Sequence, residues 1–158
     1  MNQIISPEDL SSWRKHIRQS GQRLVATNGC FDILHIGHIR YLTSAKKLGD
    51  LLIVALNDDA SVQELKGPTR PINPVHDRAE VLVALEAVDV VTIFSGKRCN
   101  AFLEAAQPDI YVKGGDYKGV EDLDQSEVQS IRKYGGEIKL LDLIPGRSTS
   151  GIIEKMKQ

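Results

Sequence analysis

Two histidines bracket a glycine in the segment 35–38 (HIGH), where a helix is predicted to begin. Backbone N–H groups at a helix N-terminus carry partial positive charge and point at anions. Side chains three residues apart lie on one face of a helix, so His35 and His38 can donate hydrogen bonds to one phosphate. Gly37 has no Cβ, which leaves room for a ligand close to the backbone. The segment therefore predicts a phosphate-binding helix start, and ordinary polar residues at a helix start are the alternative.

Cationic side chains follow in a loop that glycine and proline stiffen. Lys66 precedes Gly67 and Pro68, and Arg70 precedes a second proline. A stiff loop can hold a cation in place, so Lys66 is a candidate phosphate ligand and Arg70 a weaker one; a solvated surface loop is the alternative. Arg78, on the next predicted helix, can reach phosphate or pair with neighbouring acids.

Polar segments also follow later predicted elements. The segment 113–117 (KGGDY) has a Gly-Gly pair that lets a ligand approach the backbone, and Asp116 can cap the turn or hold a ligand hydroxyl. The segment 147–150 (RSTS) precedes the last predicted helix. Ser148 can cap that helix, while the hydroxyls, the free N–H groups and Arg147 suit phosphates.

Alternating helix and strand patterns must position these residues. Strands are predicted over 23–28, 51–57, 89–94, 109–113 and 137–141, and helices over 6–21, 37–48, 73–88, 97–106, 123–134 and 148–156, with a loop over 58–73. This order predicts an α/β fold with a doubly wound parallel sheet of about five strands in a single domain, 1–158, on which the N-terminal helix (1–21) packs. Ligands of such sheets bind beyond the carboxyl ends of the strands, and the polar residues after Asn28, Asn57 and Val112 lie there.

Composition excludes several classes of protein. Lysine plus arginine number 20 and aspartate plus glutamate 21, so bulk charge gives no attraction to nucleic acid or to an anionic membrane. The longest apolar run, 51–56, is too short to span a bilayer. The cysteines, Cys30 and Cys99, form neither a disulfide framework nor a zinc motif with Asp32 and the histidines. We expect reduced thiols, a cytoplasmic location, and no dedicated metal ligands; Mg²⁺ arrives with a triphosphate, and Asp32 is at most an indirect contact.

The chain resembles the HxGH nucleotidyltransferase superfamily through 28–32 (NGCFD) and 35–38 (HIGH). The wider set resembles the adenylyltransferase of ADP-heptose synthesis: 28–42 (NGCFDILHIGHIRYL), 56–62 (LNDDASV), 65–71 (LKGPTRP), 77–78 (DR), 112–117 (VKGGDY) and 148–150 (STS). The resemblance covers nearly the whole chain. It implies a Rossmann-like fold and transfer of AMP from ATP to a heptose 1-phosphate, which gives ADP-heptose for lipopolysaccharide or another surface glycan and releases pyrophosphate.

The resemblance also implies roles for individual residues. The expected catalytic residues are His35, His38 and Lys66. The expected nucleotide-binding residues are Asn28, Gly29, Cys30, Phe31, Gly37, His38, Lys113, Gly115, Asp116, Arg147, Ser148, Thr149 and Ser150. The expected substrate-binding residues are Asp32, Asn57, Lys66, Arg70, Arg78 and Tyr117. Expected partners are ATP with its Mg²⁺, a sugar phosphate and a second copy of the chain in a homodimer.

Alternatives remain at the level of the sequence. A cytidylyltransferase acting on glycerol 3-phosphate or a related alcohol phosphate uses the same motif, and so does an FAD synthetase-like adenylyltransferase. A nucleotide-binding regulatory module without activity is the alternative outside enzymes, although His35, His38, Lys66 and the 148–149 hydroxyls favour an enzyme. In many members of the resembled family the domain is fused to a sugar kinase, and we expect the stand-alone form here.

Overall fold

A six-stranded parallel sheet with helices on both faces forms the computed structural model, which describes residues 2–158. The strands are β1 (Gln3–Ile4), β2 (Leu24–Gly29), β3 (Leu51–Asn57), β4 (Val90–Phe94), β5 (Ile110–Gly114) and β6 (Glu137–Leu141). The helices are α1 (Leu10–Gln19), α2 (Ile36–Lys46), α3 (Asp59–Lys66), α4 (Val75–Val83), α5 (Asn100–Ala106), α6 (Gln125–Lys133) and α7 (Thr149–Met156), with a short 3₁₀ turn at Val120–Asp122. The prediction of a doubly wound α/β fold is confirmed.

The run 51–56 of the central strand β3 is apolar because helices cover both faces of the sheet. In β3, Leu52 and Val54 belong to a core cluster shared with α2 and α4. Ile53 and Ala55, which alternate with them, belong to a second cluster shared with α1, α5 and α6. This alternation is what the period of a strand requires, and it explains a run without polar residues in a parallel sheet.

The strand order shows where a ligand-binding crevice forms at the edge of the sheet. The order is β1-β4-β3-β2-β5-β6, so the chain proceeds outward from β2 through β3 to β4 and then crosses to the other side of β2 for β5. The order therefore reverses between β2 and β5. Crevices form at such a reversal beyond the carboxyl ends of the strands, which are Gly29 in β2 and Gly114 in β5.

Several predicted boundaries differ from the structure. The sheet has six strands because the two residues of β1 pair with Val90 and Val91 of β4, and a strand that short has no readable alternation. The predicted loop 58–73 contains α3. The Asp58 side chain caps this helix by accepting a hydrogen bond from the Ser61 N–H. The first helix begins at Leu10 and not at Ser6. The Ser6 hydroxyl accepts a hydrogen bond from the Asp9 N–H in a separate turn ahead of the helix. None of the helices within residues 2–158 is long and apolar enough to cross a membrane.

Candidate active site

A cavity of about 570 Å³ opens at the carboxyl ends of β2 and β5. Most of the residues predicted for the site line it: Asn28, Gly29, Cys30, Phe31, Asp32, His35, Gly37, His38, Asn57, Lys66, Arg70, Lys113, Tyr117, Arg147, Ser148, Thr149 and Ser150. These residues come from every part of the chain between β2 and α7. The reversal of strand order is therefore what gathers them at one place.

The two histidines form a stacked pair at the start of α2. Their ring centroids lie 3.9 Å apart with an interplanar angle of 27°, and the Phe31 ring lies 5.1 Å from His38. The His35 Nδ1 atom accepts a hydrogen bond from the Gly37 N–H at 3.1 Å, so His35 caps α2. An accepting Nδ1 carries no proton, which puts the ring proton of neutral His35 on Nε2 and makes that atom a donor.

Both imidazoles are neutral in the absence of an anion. Burial, followed by the neighbouring His35, lowers the pKa of His38 to about 4. Burial and the Arg147 charge also lower the pKa of His35. The His38 Nδ1 atom is buried and has no hydrogen-bond partner within residues 2–158. Two neutral rings beside each other offer directed N–H donors, and a bound anion would favour their protonation.

Gly37 is needed for the histidine pair rather than for ligand access alone. A Cβ at position 37 would lie 2.8 Å from both Cε1 and Nδ1 of His35. Real Cβ atoms essentially never approach another heavy atom that closely. The absence of a side chain therefore lets the His35 ring fold back over the first turn of α2.

The N-terminus of α7 lines the cavity together with that of α2. The Ser148 hydroxyl accepts from the Gly151 N–H at 3.0 Å and caps α7, as predicted. The Thr149 hydroxyl donates to the Ile33 carbonyl at 2.9 Å and so ties α7 to the loop after β2. Two helix N-termini at one cavity give it two sources of positive potential that do not depend on side-chain charge.

Cationic side chains predominate around the cavity. Within the part of the chain that the structure describes, its lining includes five of them, Lys66, Arg70, Lys97, Lys113 and Arg147. Asp32 is the one carboxylate in that lining. Lys97 lies 3.9 Å from Glu64 in an exposed pair, which in water contributes little. The cavity therefore has a strong excess of positive charge, which suits a polyanionic ligand.

Asp32 anchors the loop that carries Arg70. Its side chain is fully buried and pairs with Arg70 Nε at 2.6 Å. The backbone N–H groups of Ile72 and Asn73 donate to the same carboxylate at 2.8 to 2.9 Å. Burial alone raises the pKa of this carboxyl, but the donors outweigh it and hold the pKa below its usual value. Protein groups thus hold the carboxylate in place, and because Asp32 also lines the cavity, its contact with the substrate stays a prediction.

Arg78 and two residues of the predicted nucleotide loop lie outside the cavity lining. The Arg78 side chain is fully buried; it donates to the Cys30 and Asn73 carbonyls and pairs with Asp59 at 2.7 Å. It therefore supports the loop around Cys30, which corrects its assignment to the substrate. Gly115 adopts a φ of +155° with the Tyr117 ring against it, and Asp116 is exposed beside the cavity.

Some lining residues escaped the sequence analysis. They are Tyr41, Leu65, Lys97, Leu143 and Ile144, while Gly114 belongs to the Gly-Gly pair already predicted to lie close to a ligand. A signal for three of them was available, because Lys97 follows the end of β4 and Leu143 and Ile144 follow the end of β6. The prediction covers only the polar residues after Asn28, Asn57 and Val112, which are at the ends of β2, β3 and β5. Tyr41 had no such signal: its hydroxyl bonds Thr27 at 2.7 Å and the Val112 carbonyl at 3.1 Å, which joins α2 to β2 and β5.

Arg70 and two backbone N–H groups already hold Asp32, the one carboxylate in the cavity lining among the described residues. Residues 2–158 contain no group of three or more His, Cys, Asp or Glu side chains arranged to hold a metal ion. The oxygen atoms that remain at the cavity belong to neutral side chains such as Asn28 and Ser150. Magnesium commonly keeps several waters and binds through substrate phosphates, and this lining fits an ion that enters with its triphosphate.

The chain matches a known family over most of its length. Residues 26–153 match the family described as "Cytidylyltransferase-like". The "Bifunctional protein HldE" of Nitratiruptor sp. is 49% identical over 150 residues, which cover 95% of this chain and 31% of that protein. The chain therefore spans about a third of the length of the curated relatives that it matches.

Solved structures share the same architecture. The lipopolysaccharide core biosynthesis protein from Thermoplasma volcanium superposes with a TM-score of 0.64 at 33% identity, over 78% of this chain and 98% of that one. The pantoate-beta-alanine ligase from Francisella tularensis superposes with a TM-score of 0.62 at 18% identity, over 95% and 69% respectively. At that identity the ligase supports the fold alone, while the first structure is a relative in sequence as well.

Proposed function

This chain belongs to the cytidylyltransferase-like family, and on that premise we propose that it is an adenylyltransferase that transfers AMP from ATP to a heptose 1-phosphate. The observation that carries the proposal is the cavity itself. Two helix N-termini, a stacked pair of neutral imidazoles and five cationic side chains surround a space without a free carboxylate. A nucleoside triphosphate is a polyanion of the kind that such cationic side chains bind through charge-assisted hydrogen bonds.

The chemistry requires positioning and charge stabilisation. A phosphate oxygen of the sugar phosphate attacks the α-phosphorus of ATP, the new O–P bond forms, and the bond from that phosphorus to the bridging oxygen breaks in line. The electron pair of the broken bond leaves with pyrophosphate. His35 Nε2 and the His38 ring donate to oxygens that gain charge, and Lys66 neutralises charge between donor and acceptor. Arg147, the Ser148 and Ser150 hydroxyls and the N–H groups at the start of α7 hold the departing pyrophosphate, while the Thr149 hydroxyl donates to the Ile33 carbonyl.

The choice of sugar phosphate rests on resemblance and on polar groups at the cavity. The motif set from residue 28 to residue 150 resembles the adenylyltransferase of ADP-heptose synthesis, and a solved relative is a lipopolysaccharide core biosynthesis protein. Asn57 and Tyr117 line the cavity with groups that can bond sugar hydroxyls. A smaller alcohol phosphate leaves such groups unpaired, and sites of this kind reject analogues that lack the hydroxyls.

Four substrate pairings test the proposal. Pyrophosphate release is measured for ATP and for CTP, each with heptose 1-phosphate and with glycerol 3-phosphate. We expect the highest kcat/KM for ATP with heptose 1-phosphate, and a wide margin over both glycerol 3-phosphate reactions. Faster turnover with CTP and glycerol 3-phosphate would assign the chain to an alcohol-phosphate cytidylyltransferase and overturn the choice of substrates. No pyrophosphate release with any pairing, from a chain that binds ATP, would favour a nucleotide-binding regulatory module.

Cofactor, assembly and location complete the proposal. Mg²⁺ would enter with ATP, held by the triphosphate and water and not by protein carboxylates, and would neutralise phosphate charge. We expect a homodimer, which sedimentation at micromolar concentration tests. Cys30 and Cys99 are free thiols, which suits the reducing conditions of a cytoplasm.

A further inference from the structure

A buried carboxylate lies beneath the cavity and takes no part in the chemistry above. Glu127, on α6, is only 6% exposed. Its Oε1 atom accepts from the Cys99 N–H at 3.1 Å and from the Cys99 thiol at 3.3 Å. Its Oε2 atom lies 3.3 Å from the Tyr111 hydroxyl and 3.8 Å from Lys113 Nζ.

Burial of a carboxylate is costly unless a cation and hydrogen-bond donors compensate it. Lys113 is the one cationic side chain within salt-bridge distance of Glu127 in the described part of the chain. Burial, and then the Glu127 charge, raise the pKa of the Cys99 thiol to about 12, so the thiol keeps its proton and donates it. The charge of Glu127 is therefore balanced by Lys113 and held in place by Cys99.

The same group connects directly to the cavity. Lys113 Nζ donates to Asn28 Oδ1 at 3.1 Å, and the Tyr111 hydroxyl donates to the same oxygen at 2.7 Å. Two donors on Oδ1 direct the Asn28 amide nitrogen away from them. Lys113 and Asn28 both line the cavity, at the ends of β5 and β2 where the strand order reverses.

We propose that Glu127 is a positioning residue for nucleotide binding, which holds the Lys113 ammonium and, with Tyr111, the Asn28 amide at the edge of the cavity. The inference rests on the proposed function, because it assigns Lys113 and Asn28 to the nucleotide. Its physical basis is that a lysine side chain has many rotamers, and a buried counter-ion selects one of them before ATP arrives. The Lys113 side chain then loses its conformational entropy when the chain folds and not when ATP binds.

Glu127→Gln isolates the charge because it keeps the shape and the Oε1 acceptor for the Cys99 N–H. We expect the Kd for ATP, measured by calorimetry, to rise on the order of tenfold, within the range found for contacting charged residues. Asp124→Ala is the control: Asp124 caps the same helix through the Ser126 N–H and has no contact with Lys113. This variant should lower the melting temperature and leave the Kd for ATP unchanged.

A double-mutant cycle separates positioning from a general structural role. Lys113→Met should weaken ATP binding by at least as much as Glu127→Gln, and the double variant should match Lys113→Met within about twofold. If the fold-change in the Kd for ATP of the double variant equals the product of the two single fold-changes, the residues act independently and the proposal is overturned. An unchanged Kd in Glu127→Gln would also overturn it. Glu127→Asp, which keeps the charge, should show intermediate affinity; it takes the place of Glu127→Gln if that variant does not fold.

Failure of the proposed function gives a different result. A wild-type chain that binds ATP and releases no pyrophosphate with any acceptor refutes the reaction, while the cycle in ATP affinity still decides the role of Glu127. If the wild-type chain binds no ATP, a crystal structure of Glu127→Gln decides it. Displacement of Lys113 Nζ from Asn28 is the expected result, and an unmoved Lys113 would overturn the inference.

Discussion

Gly37→Ala should separate activity from stability, because its new methyl group meets the His35 ring. The Cβ would lie 2.8 Å from Cε1 and Nδ1, where ordinary contact begins near 3.4 Å. The ring therefore has to move by about 0.6 Å, which is the difference between those two distances. That movement breaks the 3.1 Å bond from the Gly37 N–H and disturbs the stack on His38.

The two effects on stability oppose each other. Loss of a helix cap costs about 1 kcal/mol, and alanine in place of glycine in a helix returns up to about 1 kcal/mol. The melting temperature should therefore change by no more than about 4 °C for a chain of this size. A misplacement approaching 1 Å at a catalytic donor costs on the order of 100-fold in rate, and we expect kcat to fall by about that factor.

Pyrophosphate release with ATP and heptose 1-phosphate gives kcat, and thermal unfolding gives the melting temperature. Ser44→Ala is the matched control, since Ser44 is exposed on the same helix and has no contact with His35. It should leave kcat unchanged. Near wild-type kcat in Gly37→Ala would refute the reasoning about the histidine pair, and a fall of more than about 10 °C in melting temperature would show that Gly37 serves folding instead.

Three further predictions concern the anchor, the loop cation and the buried imidazole. Asp32→Asn removes the partner of the nearly buried Arg70, so the free energy of unfolding in urea should drop by about 3 kcal/mol or more; an unchanged midpoint would contradict the anchor role. Lys66→Ala should lower kcat/KM strongly and Lys66→Arg should recover only part of it, because a planar guanidinium does not place its charge where an ammonium does; full recovery would mean that charge alone suffices. Because folding lowers the pKa of His38 to about 4, the unfolded chain binds a proton that the folded chain does not between about pH 6.5 and 4. Stability should therefore fall as the pH decreases through that window, and His38→Phe should flatten this decline; an equally steep decline in the variant would count against it.

Most of the elements, and most of the edge at which the site lies, could be predicted from the sequence, whereas β1 and α3 could not. Leu51–Asn57 is the predicted strand to the residue, because seven consecutive residues without a charge suit burial on both faces. The polar residues after the strands do line one cavity, because carboxyl ends of parallel strands must share an edge. The histidine pair is also local, because His35 caps α2 and its ring folds back over the first turn onto His38, which needs no long-range information.

Only the tertiary structure decided which polar side chains remain free for a ligand. Asp32, Arg70 and Arg78 are all candidate ligands in the sequence, yet Asp32 accepts from groups 38 to 41 residues away and Arg78 donates to a carbonyl 48 residues away. Glu127 had no motif at all and reaches Lys113 only because α6 packs beneath β5. A charge binds whichever partner folding brings within about 4 Å, and that distance depends on the packing of the whole sheet, which no local pattern of residues specifies.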